Sequence, residues 1–150
     1  MIPVQDLCIG NWVYDGERTQ FPMYVQTIGE DYVYLDFPQN EGDLWESTPE
    51  ELQGIPLTEE LIEKMGFKKS FVEGAKFHSL FFKINDKKHL HLSIRLDKQR
   101  ADISEVTQKN FPNADVRLRS HIADMKFLHE LQNFVFLTTK QQLKVNLQWI

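Results

Sequence analysis

Turn-forming residues interrupt the first 56 residues so often that only short strands fit between them, and this rhythm constrains the fold most. Asn11 to Tyr14 reads as a strand that runs into the turn signal Asp15-Gly16. Met23 to Ile28 ends at Gly29-Glu30-Asp31, and Tyr32 to Phe37 follows as a run of aromatic and branched residues suited to a pleated surface. A polar loop, Pro38 to Asp43, precedes a strand around Leu44-Trp45. Thr48-Pro49-Glu50-Glu51 offers an N-cap, a proline at the first helical position and a capping-box glutamate, so a single helical turn is expected before Gly54. Short strands with one helical turn predict a small, curled antiparallel barrel of the Src-homology-3-like kind over residues 1–56.

Residues 57–150 are patterned differently. Thr58 is placed to cap a short helix, Glu59 and Glu60 suit its positive end, and Gly66 stands where the chain must leave it. This helix is expected to connect the two parts. Phe77 to Ile84 and His89 to Leu96 then read as a hairpin in which Ile84 pairs with His89. That register puts Phe77, Phe81, Leu90, Leu92, Ile94 and Leu96 on the core face. His78, Leu80, Phe82, His91 and Arg95 fall on the other. Further strands are expected at Ile103 to Val106 and Asp115 to Ser120, with a last one at Lys144 to Ile150. Ile122, Met125, Leu128, Leu131 and Val135 recur at helical spacing and predict an amphipathic helix covering the sheet. The fold class is therefore α+β: an acidic barrel over 1–56, then a basic sheet-and-helix part over 57–150.

Charge follows the same division. Residues 1–56 hold eleven carboxylates against Arg18 alone, a net of −10, and residues 57–150 hold sixteen cations against eleven acids, a net of +5. Such asymmetry implies two surfaces with different partners, or two halves that attract each other within the chain or, by self-association, across a dimer. No run of residues has the ~18–20 apolar positions a membrane helix needs, so no membrane association is expected. The single cysteine, Cys8, and the absence of a signal-like start suit a reducing cytoplasm. Between Leu7 and Ile9 its thiol is expected to be buried and inert.

No constellation of catalytic residues emerges. His89 and His91 point the same way on a strand, but a metal needs a third ligand. In the expected register His78 pairs with Arg95, ~13 Å beyond His91, and cannot supply it. Glu41, Asp43 and Glu46 lack the spacing of a calcium loop. Phosphate-binding glycine loops, nucleophile elbows and zinc-protease helices are absent from the sequence. His129 and Asn133 make only a polar helix face. No metal, cofactor or enzymatic activity is expected. The residues best suited to a partner are exposed aromatics of the barrel, Trp12, Tyr34 and Trp45, and the basic sheet residues Arg95, Arg117 and Arg119. With Phe82 as a stacking surface, those arginines make nucleic acid the second candidate partner. An acidic overall charge argues against it.

Three segments, Leu7–Val13, Ile55–Phe67 and Phe127–Asn133, resemble in order and spacing a family of small uncharacterised proteins of gut Bacteroidetes, often encoded in prophage-like or mobile regions. The resemblance spans the chain and departs at Leu137-Thr138-Thr139-Lys140, where the family has a glycine-terminated helix stop. It implies a non-enzymatic interaction or accessory module of phage or mobile-element biology, and no catalytic residues.

Overall fold

A computed structural model of the chain describes residues 1–16, 18–107, 121–145 and 147. The chain divides into two compact units. The first comprises Met1–Pro56, Phe127–Phe134 and Lys144–Ile150, the second Leu57–Lys126 and Val135–Leu143. The architecture is α+β, as the patterning predicts.

Among the described residues of the first unit, β1 (Trp12–Asp15), β2 (Arg18–Ile28), β3 (Val33–Asp36), β4 (Trp45–Ser47) and β5 (Leu52–Gly54) form one antiparallel sheet. Its order is β4-β3-β2-β1-β5. Alternation decides which residues go inward: Val13, Met23, Val25, Val33, Leu35 and Leu52 pack with Ile2 and Leu7 into one core. The register shifts once between Tyr14 and Asp15 and once between Val25 and Thr27. Extra residues of this kind bend a strand and raise its twist. The bend curls the sheet until Asp15 on β1 accepts the indole N–H of Trp45 and the hydroxyl of Ser47 (3.5 Å), both from β4 at the far edge. The turn rhythm predicts a small, curled antiparallel barrel, and the sheet is curled in this way into a half-barrel.

Two expectations for this unit need correction. Thr48 to Glu51 is one reverse turn, closed by the Glu51 N–H on the Thr48 carbonyl (3.0 Å), not a helical turn. Strand β5 follows at once and pairs with β1, with Gly54 as its last residue. A Cβ at Gly54 would lie 2.6 Å from Cδ1 of Phe127, so only glycine lets that ring pack on the strand. Cys8 is exposed rather than buried. Leu7 takes the inward position, and Cys8 opens a tight turn in which its N–H donates to Asn11 Oδ1 at 2.8 Å.

In the second unit α1 (Glu59–Lys64) is built as its sequence specifies. The Leu61 N–H donates to Thr58 Oγ1 at 3.2 Å. Gly66 (φ +97°) and Phe67 then donate back to Glu63 and Ile62, a left-handed exit that glycine makes without strain. Strands β6 (Lys68–Val72), β7 (Ala75–Asn85), β8 (Lys88–Arg95), β9 (Arg100–Thr107) and β10 (His121–Asp124) follow in simple antiparallel order among the described residues. Helix α2 (Leu128–Thr139) is the last regular element among the described residues, with its residues up to Phe134 in the first unit and those from Val135 in the second. No helix among the described residues is long and apolar enough to cross a membrane.

The hairpin register differs from the one expected. Asn85 pairs with Lys88 across a two-residue turn, but Ile84 is extruded as a bulge, and beyond it Lys83 faces His89 and Phe82 faces Leu90. One inserted residue exchanges the faces of all of β7. His78 and Phe82 are therefore buried beside Leu90, Leu92 and Ile94, while Phe77 and Phe81 share the opposite face with His91 and Arg95. The expected apolar stripe also begins late. Ile122 lies in β10, 61% exposed, and the helix starts at Leu128 with Leu128, Leu131 and Val135 fully buried. Ile103 to Val106 falls in β9 as expected. Asp115 to Ser120, with Arg117 and Arg119, lies outside the described residues, and Lys144, Val145 and Leu147 carry no strand.

Helix α2 ends without glycine. Lys140 takes the left-handed conformation itself (φ +59°), its N–H donating to Phe136 O at 2.9 Å. Thr139 Oγ1 donates to Val135 O (2.7 Å) and accepts the Gln141 N–H (3.0 Å), closing the end that the missing glycine leaves.

Candidate functional site

Two clusters of functional side chains stand out, one in each unit. In the first, the outer face of the curled sheet is aromatic. Because Val13, Met23, Val25, Val33 and Leu35 point inward, Trp12, Tyr14, Tyr24 and Tyr34 must point outward. Trp12 is only 7% exposed and meets Tyr24 edge-on at 5.3 Å. Its backbone N–H donates to Gln132 Oε1 at 2.8 Å. Tyr14, Tyr24 and Tyr34 are half-buried, and Tyr34 sits across from Glu46. Trp45 belongs to the inner side, packed against the core and bonded to Asp15.

Asp36 anchors the edge of this face. It accepts the Tyr24 hydroxyl at 3.4 Å, its own successor's N–H from Phe37 at 2.9 Å and Asn40 Nδ2 at 2.8 Å. Burial and the Asp36 carboxylate push the Tyr24 phenol upward, so it stays protonated. Asn40 in turn accepts the Gly42 N–H, which shapes the polar loop after β3. The result is a firm aromatic surface bordered by carboxylates.

His129, expected on a polar helix face, is buried instead. Its ring stacks on Phe127 (5.9 Å between centroids) and lines a cavity of about 400 Å³ with Asp6 and Glu130. Burial lowers its pKa, which keeps the imidazole neutral. Glu130 Oε1 accepts the Phe127 N–H at 2.9 Å, so its carboxylate already caps the helix.

The second cluster joins α1 to the β6–β7 hairpin. Glu59 and Glu63 lie one helical turn apart and so share a face of α1. His78 on β7, 1% exposed, places Nε2 3.3 Å from Glu63 Oε1 and 3.7 Å from Glu59 Oε1. Lys69 reaches Glu59 Oε1 at 3.0 Å and Glu63 Oε1 at 3.8 Å, and Lys76 reaches Glu59 Oε2 at 3.0 Å. Hydrogen bonds from Lys76 and then Lys69 hold the Glu59 carboxyl down to about 2, and Glu59 raises Lys69. Sequence reasoning missed this cluster. The pair Glu59 and Glu63 was legible as one helix face, but the expected register turned His78 toward solvent.

The remaining candidates are dispersed. Arg95 is held by Asp97 through two bonds of 2.8 and 2.6 Å and lies 5.0 Å over the Phe77 ring. Asp97 is pulled below the usual carboxylate range by that guanidinium. Phe82, expected to stack on a ligand, is 8% exposed and on the opposite face from Arg95. His91 packs against Phe81 at 4.6 Å, and burial lowers its pKa. His78 lies on the other side of the sheet from His91, so these histidines cannot meet one ion. No protein-family model matches the chain, and no match is found among curated proteins or solved structures.

Proposed function

We propose that this chain is a non-enzymatic interaction module whose outer β1–β3 face receives an extended, positively charged partner segment. The observation that carries the reading is the half-buried Tyr14, Tyr24 and Tyr34 on one outer face beside Asp36 and Glu46. Rings held by a rigid sheet supply contact area at low entropic cost, and an arginine laid over them gains a cation–π attraction. The carboxylates, on a segment of net −10, steer a cation to the same place. Resemblance to the Bacteroidetes family supports an accessory role in phage or mobile-element biology, and a lone, exposed thiol is compatible with a reducing cytoplasm. The nucleic-acid reading draws less support, because a phosphate would have to compete with Asp97 for Arg95.

The test is a fluorescence or NMR titration with a proline-spaced arginine peptide and its glutamate counterpart. Binding is expected for the basic peptide only, weakening with added salt, and weaker by about tenfold or more in the Tyr14→Ala/Tyr34→Ala variant. Equal behaviour of the two peptides, or an unaffected variant, would overturn the reading.

A further inference from the structure

We propose that Glu59, Glu63 and His78 form a binding site for a divalent ion of the zinc class. The inference is independent of the aromatic face. It starts from the placement of His78, a polar side chain with almost no exposure on the core face of β7. Its Nε2 is aimed at the one spot where two carboxylates of α1 converge. One ligand atom from each of the three residues lies within 4.8 Å of the others.

The spacing fits coordination. Zinc bonds of ~2.0–2.1 Å in a tetrahedron require ligand–ligand edges of roughly 3.3–3.4 Å. The two imidazole–carboxylate separations, 3.3 and 3.7 Å, are close to those edges, and the three ligand atoms all lie within 4.8 Å of one another. One nitrogen and two oxygens suit zinc or a neighbouring transition ion better than calcium, which takes oxygen alone. Three protein ligands leave a position for water. The donors are also held in place before an ion arrives. Thr58 caps α1, and Leu61 and Ile62 bury its inner side, which fixes the rotation that presents Glu59 and Glu63.

The lysines are the competing occupants. Lys69 stands between the two carboxylates and Lys76 on the far oxygen of Glu59, so in effect two ammonium groups neutralise the charge an ion would neutralise. Both are roughly half exposed. Ion pairs of such residues are weak in water because hydration and screening cancel most of the attraction. Metal coordination by preplaced donors is far stronger. Lys69 can therefore swing into solvent when the ion enters, and Lys76 can keep the outer oxygen of Glu59 as an orienting partner.

The experiment is calorimetric titration of the full, chelator-treated chain with Zn²⁺ at neutral pH, with thermal unfolding and Co²⁺ absorption as parallel readouts. One ion per chain is expected, with a rise in melting temperature. Glu63→Gln, an exposed change that leaves the fold intact, should weaken binding by at least about tenfold, as should His78→Asn. Lys69→Gln should tighten binding several-fold, because it removes the competitor. His91→Asn, on the opposite face, should change nothing. The proposal fails if Zn²⁺ gives neither heat nor thermal shift. It also fails if binding survives Glu63→Gln, or if Lys69→Gln does not strengthen it; the cluster is then an ion-pair network and nothing more.

Discussion

Strands β1–β5 and strands β6–β10 both form antiparallel sheets, but only in the second do neighbours follow chain order, since β5 returns to pair with β1, and apolar burial reaches their edges differently. In the first, the inward residues of β1–β3, Val13, Met23, Val25, Val33 and Leu35, are all fully buried, and β3 alternates buried with half-buried positions. In the second, every residue of the edge strand β6 is exposed, Phe71 at 65%. Its hairpin meets α1 through the polar, partly exposed Glu59, Glu63, Lys69 and Lys76 around buried His78. Apolar burial scales with area and tolerates little change, whereas exposed charge pairs are weak and depend on pH and salt. One sheet is a core with a face to spare. The other carries an exposed edge whose polar contacts can be exchanged.

The sharpest way to break this comparison is to truncate one apolar residue in each sheet. Leu35→Ala in β3 should cost ~2–5 kcal/mol in a denaturant titration, because Leu35 is fully buried. Phe71→Ala in β6 should stay within about 0.5 kcal/mol. Similar losses for both would mean that β6 is covered like the core.

A smaller effect is expected at the end of α2. Lys140 holds a left-handed conformation that glycine adopts freely, so Lys140→Gly should stabilise the chain by about 0.5–1 kcal/mol. A loss in thermal unfolding would show that the Thr139 hydrogen bonds already relieve the strain.

The smallest effect concerns acid. The Glu59 carboxyl is held near 2 in the folded chain against an ordinary 4.5. Its contribution is therefore present above pH 4.5 and is lost as pH falls toward 2. Urea midpoints of Glu59→Gln and the parent chain should converge over that window, and at neutral pH the difference should shrink in ~1 M salt. A gap that persists in acid would place the effect elsewhere than in the Lys76 and Lys69 pairs.

Much of the fold was legible because local signals coincide with physical necessity. Thr58 and Gly66 bound α1 where a cap and a left-handed exit are required, and Asp15-Gly16 separates β1 from β2. Strands β5 and β6 were not legible. Leu52–Gly54 is too short to show alternation, and Lys68–Val72 has no buried face to create a pattern. The turn Glu73-Gly74, with both residues at positive φ, was the available signal for the β6–β7 hairpin.

The sequence by itself determined the α+β class, the acidic and basic division, the cap and stop of α1 and the buried stripe Leu128, Leu131 and Val135, because each depends on neighbours within a few residues. Only the tertiary structure decided which face of β7 is inside. One bulge at Ile84 moved His78 from solvent to the core and brought it to Glu59 and Glu63. A strand repeats every two residues, so a single insertion reverses every side chain beyond it, and no local pattern in β7 records which side the partner strands will cover.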